Sequence, residues 1–115
     1  MGKSHARVAK VGEGDRTAVQ ERTTEFLRAL YPMKTADNVS VDTGISANTV
    51  AKWLDRGSAP TSWAFLRLLE AYGAEFACAV MAAPPAWLDR AAREQKRDRL
   101  QGQIAGLQAQ LDEAV

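Results

Sequence analysis

Cys78 and His5 are the side chains in this sequence best suited to nucleophilic or metal-ligand chemistry, and neither has a companion. Each is the only residue of its type, so the chain can form neither an internal disulfide nor a Cys/His zinc cluster. Cys78 lies in the apolar run 76–81, which favours a small buried side chain over a reactive thiol. Most acidic residues are scattered singly, and neither of the glycine-rich phosphate-binding motifs G-x-G-x-x-G and G-x-x-x-x-G-K-[ST] is present. We therefore expect no enzymatic activity, no cofactor and no metal.

Basic residues, in contrast, are clustered. The first twelve residues contain Lys3, Arg7 and Lys10 and no acid, which predicts a flexible basic arm over residues 1–14. A second cluster, diluted by two acids, consists of Arg90, Arg93, Lys96, Arg97 and Arg99. The formal net charge is only +1, so contact with phosphate groups would depend on these local patches.

The composition is that of a folded globular protein. Of the 115 residues, 46% are hydrophobic and 25% are charged, which indicates one compact domain. No window approaches the roughly 18 consecutive apolar residues of a membrane span, and the N-terminal residues lack the apolar stretch of a secretory signal. We expect a cytoplasmic protein without membrane contact.

Three helices are predicted in the first half of the chain. The first has Asp15 as its cap and ends before Pro32, with apolar residues at three- and four-residue steps. The second runs from about Lys34 or Thr35 to Thr43 and is stopped by Gly44, whose missing side chain permits the positive φ of a sharp turn. The third begins after Ser46, a good N-cap residue, and ends at Gly57.

The second half of the chain is also predicted to be helical. Residues 58–62 indicate a loop into a capped helix that stops at Gly73. Residues 74–82 fit either a helix or a strand, and their alanine content favours a helix. Pro84-Pro85 marks a boundary, after which the composition favours one long helix from Ala86.

This last helix carries a short heptad seam. Steps of four and three residues alternate along Leu100, Ile104, Leu107, Leu111 and Ala114. The seam favours self-association as a short coiled coil, and the alternative is a helix that folds back onto its own domain. The predicted organisation is thus an arm (1–14), a helical domain (15–82) and a pairing helix (83–115).

The stretch 36–54 resembles a helix-turn-helix. Gly44 would make the turn, Ser40 would let the two helices cross closely, and the apolar wedge between them would comprise Val39, Ile45, Val50 and Trp53. The stretch departs from the usual pattern at Ser40, where alanine is common, and at Thr43, which is more often apolar. Residues 15–82, about two thirds of the chain, resemble the DNA-binding domain of lambda-repressor-like, Cro-type regulators. The resemblance implies an all-α bundle of four or five helices, followed by the long C-terminal helix.

The resemblance also implies that the third helix reads DNA with its outward polar face, which ends at Asp55. The DNA-contacting residues would be Ser46, Ala47, Asn48, Thr49, Lys52, Arg56 and Ser58. Ser46 would cap the helix first and touch phosphate second, whereas Asn48 would either pair with adenine or bond the backbone. All three tryptophans, Trp53, Trp63 and Trp87, are expected to be packing anchors.

These features predict a sequence-specific transcriptional regulator, of the kind found in phages and mobile elements, that binds double-stranded DNA as a homodimer. One alternative is a DNA-binding assembly protein similar to small terminase subunits. The other is an antitoxin-type module that binds a partner protein. No effector pocket is recognisable in the sequence.

Overall fold

The computed structural model describes residues 13–114, with side chains from Arg16 onward, and this part of the chain contains five helices and no strand. The helices are α1 (Glu13–Leu30), α2 (Thr35–Thr43), α3 (Ala47–Arg56), α4 (Ser62–Val80) and α5 (Ala86–Ala114). The all-α prediction is therefore confirmed. The basic arm, with Lys3, His5, Arg7 and Lys10, lies outside the described residues.

Helix α1 begins earlier than the sequence suggested. The expected cap, Asp15, lies inside the helix, which starts at Glu13 and passes through Gly14. A glycine inside a helix costs only about 1 kcal/mol relative to alanine, so it does not force a break. The other end is as expected, because Pro32 follows the last helical turn.

The core lies where α1 to α4 meet. Its fully buried side chains include Leu27 of α1, Val39 of α2, Val50 of α3 and Leu68 of α4. An aromatic group joins α1 to α4, because the ring of Phe26 lies 5.5 Å from that of Phe76. Apolar residues at helical spacing thus give each element one inward face.

Helix α4 is interrupted at Gly73 but does not end there. Gly73 has φ 62° and ψ −141°, and helix continues on its far side to Val80. The predicted end of the helix at Gly73 is therefore an internal break. Residues 74–82, which fitted either a helix or a strand, are helical as far as Val80. The break leaves backbone groups without helical partners. The side chain of Gln95 in α5 takes the place of the missing partners. Its Nε2 donates to the carbonyl of Tyr72 at 2.7 Å, and its Oε1 accepts from the amide of Glu75 at 3.1 Å.

Helix α5 has two halves with different surroundings. In the proximal half, Leu88 is buried and Arg99 forms a two-pronged ion pair with Glu75, with N···O distances of 3.0 and 2.8 Å. In the distal half, every residue from Leu100 to Ala114 is exposed. The proximal half of α5 thus packs against its own domain, as the alternative prediction had it. The distal half remains available for another partner. No helix within residues 13–114 is both long and apolar enough to cross a bilayer.

The Gln95 bridge gives a test of this packing. We expect Gln95→Ala to lower the free energy of unfolding by roughly 1 to 3 kcal/mol, because both groups at the Gly73 break lose their partner. Gln101→Ala, the same change at an exposed position of α5, is the control and should change stability by less than about 0.5 kcal/mol. Urea unfolding followed by circular dichroism measures both. Equal stabilities of the two variants would contradict the bridge.

Candidate nucleic-acid interface

The turn between α2 and α3 is made by Gly44 in the left-handed conformation, with φ 79°. Thr43 before it departs from the usual apolar residue and is nevertheless buried. Its hydroxyl donates to the carbonyl of Val39 at 2.7 Å and accepts from the amide of Ile45 at 3.1 Å. Thr43 therefore satisfies its own polar group while it fixes the direction in which the chain leaves α2.

The apolar wedge predicted between the two helices is confirmed. Val39, Ile45, Val50 and Trp53 are each at most 2% exposed. Because these residues occupy the inward face of α3, the polar residues between them must point away from the core. The order of helix, glycine turn and helix, with a buried wedge between the two helices, agrees with the prediction from the sequence.

Helix α3 is capped at both ends by local contacts. The Ser46 hydroxyl accepts from the amide of Thr49 at 3.1 Å and donates to the Thr49 hydroxyl at 2.8 Å. Gly57 closes the other end in the left-handed conformation, and its amide donates to the carbonyl of Lys52. The expected capping role of Ser46 is confirmed, and Thr49 is its partner.

Side chains of α1 hold the carboxyl end of α3. Gln20 Nε2 donates to the carbonyls of Trp53 at 3.2 Å and of Ser58 at 3.4 Å, and Arg28 donates to the carbonyl of Leu54 at 3.2 Å. These bonds satisfy acceptors that a helix end leaves free. Sequence reasoning missed both side chains, because nothing in their local pattern indicates a partner more than twenty residues away.

The outward face of α3 is a polar stripe formed by Asn48, Lys52 and Arg56, which follow one another at four-residue steps. All three are exposed, and within residues 16–114 their side chains have no hydrogen bond or ion pair. Asp55 lies at the side of this stripe, 4.0 Å from Arg28 of α1. An amide and two cations are therefore free to bind an anionic, hydrogen-bonding ligand.

The remaining predicted contact residues frame this stripe. Thr49, Ser46 and Ser58 are exposed, whereas Ala47 is half-buried at the first position of α3. The structure thus places all seven predicted residues at the two ends and along one face of a single short helix. Whether DNA contacts them remains a prediction.

Two tyrosines fix α2 against its neighbours. The hydroxyls of Tyr31 and Tyr72 both donate to Asp42 Oδ2, at 2.6 and 2.8 Å. The hydrogen bond to Asp42 is the main cause that raises the pKa of Tyr31, whereas burial is the main cause that raises the pKa of Tyr72. Arg67 adds a bond from its Nε to the carbonyl of Thr43 at 3.0 Å. These three contacts, from Tyr31, Tyr72 and Arg67, were not predicted from the sequence. They hold α2 in place, so that α2 can support α3.

The tryptophans behave differently from one another. Trp53 is buried as expected, but the packing role predicted for Trp63 and Trp87 is wrong, because they are 60% and 67% exposed. In both cases the next residue, Ala64 or Leu88, occupies the inward position. The two indoles therefore lie on the surface.

No group of three potential metal ligands occurs in the part of the chain that the structure describes. Cys78 is half-buried, and burial, followed by the nearby Asp89 carboxylate, raises the pKa of its thiol. A raised pKa means less thiolate and a weaker nucleophile. The second basic cluster is partly neutralised, since Arg93 lies 2.9 Å from Asp89 and Arg99 binds Glu75.

Helices α2 and α3 are joined by a glycine turn and share a buried apolar wedge. Comparisons of this chain with protein families, curated proteins and solved structures find no match. The function of the α3 surface must therefore be inferred from its own side chains and their placement.

Proposed function

We propose that this chain is a cytoplasmic, sequence-specific DNA-binding transcriptional regulator that acts as a homodimer. The observation that carries the proposal is the exposed stripe of Asn48, Lys52 and Arg56 on a helix whose inward residues Val50 and Trp53 are buried. The major groove of DNA is about 12 Å wide and admits one α-helix. Such a helix reads sequence only if the domain holds it rigidly, and Gln20 and Arg28 supply that support.

The stripe combines the two kinds of contact that DNA recognition needs. An Asn amide such as Asn48 matches the N6 and N7 atoms of adenine, and a cation such as Lys52 matches guanine or a phosphate. Arg56 and Ser58 lie where the chain leaves α3, which suits contacts to the phosphate backbone. We thus assign base contacts to the first half of α3, at Asn48 and Lys52, and phosphate contacts to its carboxyl end, at Arg56 and Ser58.

Self-association is the second part of the proposal, and it is supported by the exposed seam of distal α5. Leu100, Ile104, Leu107 and Leu111 are between 41% and 64% exposed. Burial of such side chains against a second copy is favourable at about 25 cal/mol per Å² of apolar surface removed from water. Two linked copies would bind two half-sites of a symmetric operator.

The stripe is tested by Asn48→Ala and Lys52→Ala. Each change should weaken binding to an operator obtained by selection from random duplex DNA, by roughly 1 to 3 kcal/mol if the residue contacts a base, and should leave the unfolding midpoint unchanged. Fluorescence anisotropy titration measures the affinity. Gln101→Ala and Arg90→Ala are the matched controls, because they remove an exposed amide and an exposed cation from α5. Affinity losses no larger than those of the controls would remove α3 from the interface.

A second candidate function, an adaptor or antitoxin-type module that binds a partner protein, is favoured by one observation. Trp63 and Leu66 are 60% and 58% exposed and lie one turn apart on α4, so they form a small apolar patch of the kind found at protein contacts. Stoichiometry separates the candidates. A dimer that protects one short palindrome supports regulation, and a larger ring supports an assembly adaptor. A stable complex with a second protein, weakened by changes at Trp63 and Leu66, supports the antitoxin-type module.

A further inference from the structure

An open groove lies beside the point where α5 leaves the domain. It consists of two adjoining depressions between α1, α4 and α5, which share Phe26, Glu75 and Lys96 as lining residues. The floor is apolar and includes Phe26, Ala29, Leu30, Ala79 and Ala92. Arg93 and Lys96 of α5 form part of its rim. Arg93 is paired with Asp89, and Glu75 in the lining is paired with Arg99, so within residues 16–114 the unpaired cation at the rim is Lys96.

The apolar seam of distal α5 leads into this groove. Lys96 precedes Leu100 by four residues and Arg93 precedes it by seven, so both rim residues lie on the side of α5 that carries the seam. The seam and the groove therefore form one continuous surface. Within residues 16–114 nothing covers it, since the four large seam side chains are all exposed.

The distal end of α5 has the chemistry that complements the groove. Leu107 and Leu111 are apolar, and Asp112 and Glu113 follow them directly. The end of the same copy cannot reach its own groove, because α5 is one uninterrupted helix to Ala114. At 1.5 Å per residue, Leu111 lies about 18 Å beyond Arg99 along the axis. Only a second copy can bring these residues to the groove.

We propose that two copies pair antiparallel along distal α5, and that the end of each helix lies beside Lys96 at the near end of the other copy's groove. In this register Leu100 faces Leu111 of the second copy, and Ile104 faces Leu107. Asp112 and Glu113 then lie within about one helical turn of Lys96 and Arg97. Apolar residues of the two copies then meet along the seam, and the acids lie beside Lys96 at the rim of the groove.

A parallel pair does not fit the same surface. Continuing the heptad backwards from Leu100 places Arg97 and Arg93 on the seam. A parallel, in-register pair would set each arginine against its own copy, which is unfavourable, and would leave both grooves open. The antiparallel pair instead separates the two domain-bearing segments, centred near Ala92, by about 40 Å along the axis. This distance is comparable to one turn of DNA, about 34 Å.

Spin labels at three equivalent heptad positions test the orientation. Cys78→Ser removes the native thiol, and Glu94→Cys, Gln101→Cys and Gln108→Cys then each introduce one label site, at exposed positions off the seam and seven residues apart. In the antiparallel pair, the axial separation between equivalent positions of the two copies is about 35 Å at residue 94, about 14 Å at residue 101 and about 8 Å at residue 108. Separations that are the same at all three positions indicate a parallel pair and overturn this inference.

The groove contact is tested by exchanging charges. Lys96→Glu should weaken self-association roughly threefold to fivefold, and Arg90→Glu, the same change at a basic residue that does not line the groove, should not. A double variant, Asp112→Lys with Glu113→Lys, should weaken it as well. Mixing it with Lys96→Glu should favour the mixed dimer, because each groove then again holds opposite charges. Unchanged self-association of Lys96→Glu overturns the groove contact.

This inference rests on the self-association proposed above, and sedimentation of the full chain separates the two. A chain that stays monomeric at high micromolar concentration overturns both the antiparallel pair and the homodimer. A dimer with equal label separations overturns only the orientation. Neither result affects the DNA contacts of α3, which are measured independently by the Asn48 and Lys52 variants.

Discussion

A chain that ends at Arg99 is expected to stay folded and to lose most of its affinity for a two-half-site operator, by roughly 10²- to 10⁴-fold. The cut falls where α5 leaves the domain, so Leu88, Gln95 and the Arg99–Glu75 ion pair all remain. The affinity falls because the two DNA-binding domains are no longer linked, so each must bind its half-site separately. Weak, salt-sensitive binding to any duplex should persist, because phosphate contacts within one copy remain.

The matched control is a chain that ends at Trp87. It loses the same seam and also Leu88, Gln95 and Arg99, so it should lose stability as well as affinity. Sedimentation, thermal unfolding and DNA titration of both chains measure the difference. A chain ending at Arg99 that remains dimeric with unchanged operator affinity would show that the helix-turn-helix domain itself makes the dimer.

Trp53→Ala is expected to destabilise the domain by roughly 3 to 5 kcal/mol, the usual cost of truncating a buried tryptophan. Trp53 is only 2% exposed, and its backbone carbonyl accepts the bond from Gln20 that holds α3 to α1. A small domain has only about 5 to 15 kcal/mol of stability in total. This variant should therefore lose a large share of the stability of the domain.

Trp63→Ala is the control for this change, because the same side chain is removed from a position that is 60% exposed. We expect a change within about 0.5 kcal/mol. Urea unfolding monitored by circular dichroism gives both values. Equal destabilisation by the two substitutions would contradict the packing of α3 described here.

Local signals explain why much of the fold was predictable. Gly44 and Gly57 end helices because the left-handed conformation suits glycine, and Ser46 caps α3 through a residue only three positions away. Val50 and Trp53 of the wedge follow from helical periodicity, whereas Val39 and Ile45 were expected from the resemblance of residues 36–54 to a helix-turn-helix. In each case the cause and its effect lie within a few residues of one another in the sequence.

The remaining features depend on partners that are distant in the sequence. Gln20 reaches the end of α3, Gln95 bridges the break at Gly73, and Tyr72 reaches Asp42. Burial predicted from hydrophobicity is also wrong where a helix has more apolar residues than its neighbours can cover, as at Trp63 and Trp87. A sequence pattern indicates which face of a helix is apolar, but it does not indicate which side chains of that helix find a neighbour.

The candidate site shows the same division. The exposed stripe of Asn48, Lys52 and Arg56 was predictable, because the turn and the wedge together orient α3. Its supports in α1 were not. Nor was the groove beside α5, since it depends on how α1, α4 and α5 meet.

Selection of binding sites from a random pool of duplex DNA, with the full chain and at stated salt concentration, tests the central proposal most directly. A sequence-specific dimer should enrich one two-fold symmetric motif, with half-sites centred about 34 Å apart or at a multiple of that distance. The same selection with Lys52→Ala should enrich it less, because the exposed cation of α3 is missing. If the full chain enriches no sequence even at low salt, where phosphate contacts are strongest, the proposal that α3 reads DNA is wrong.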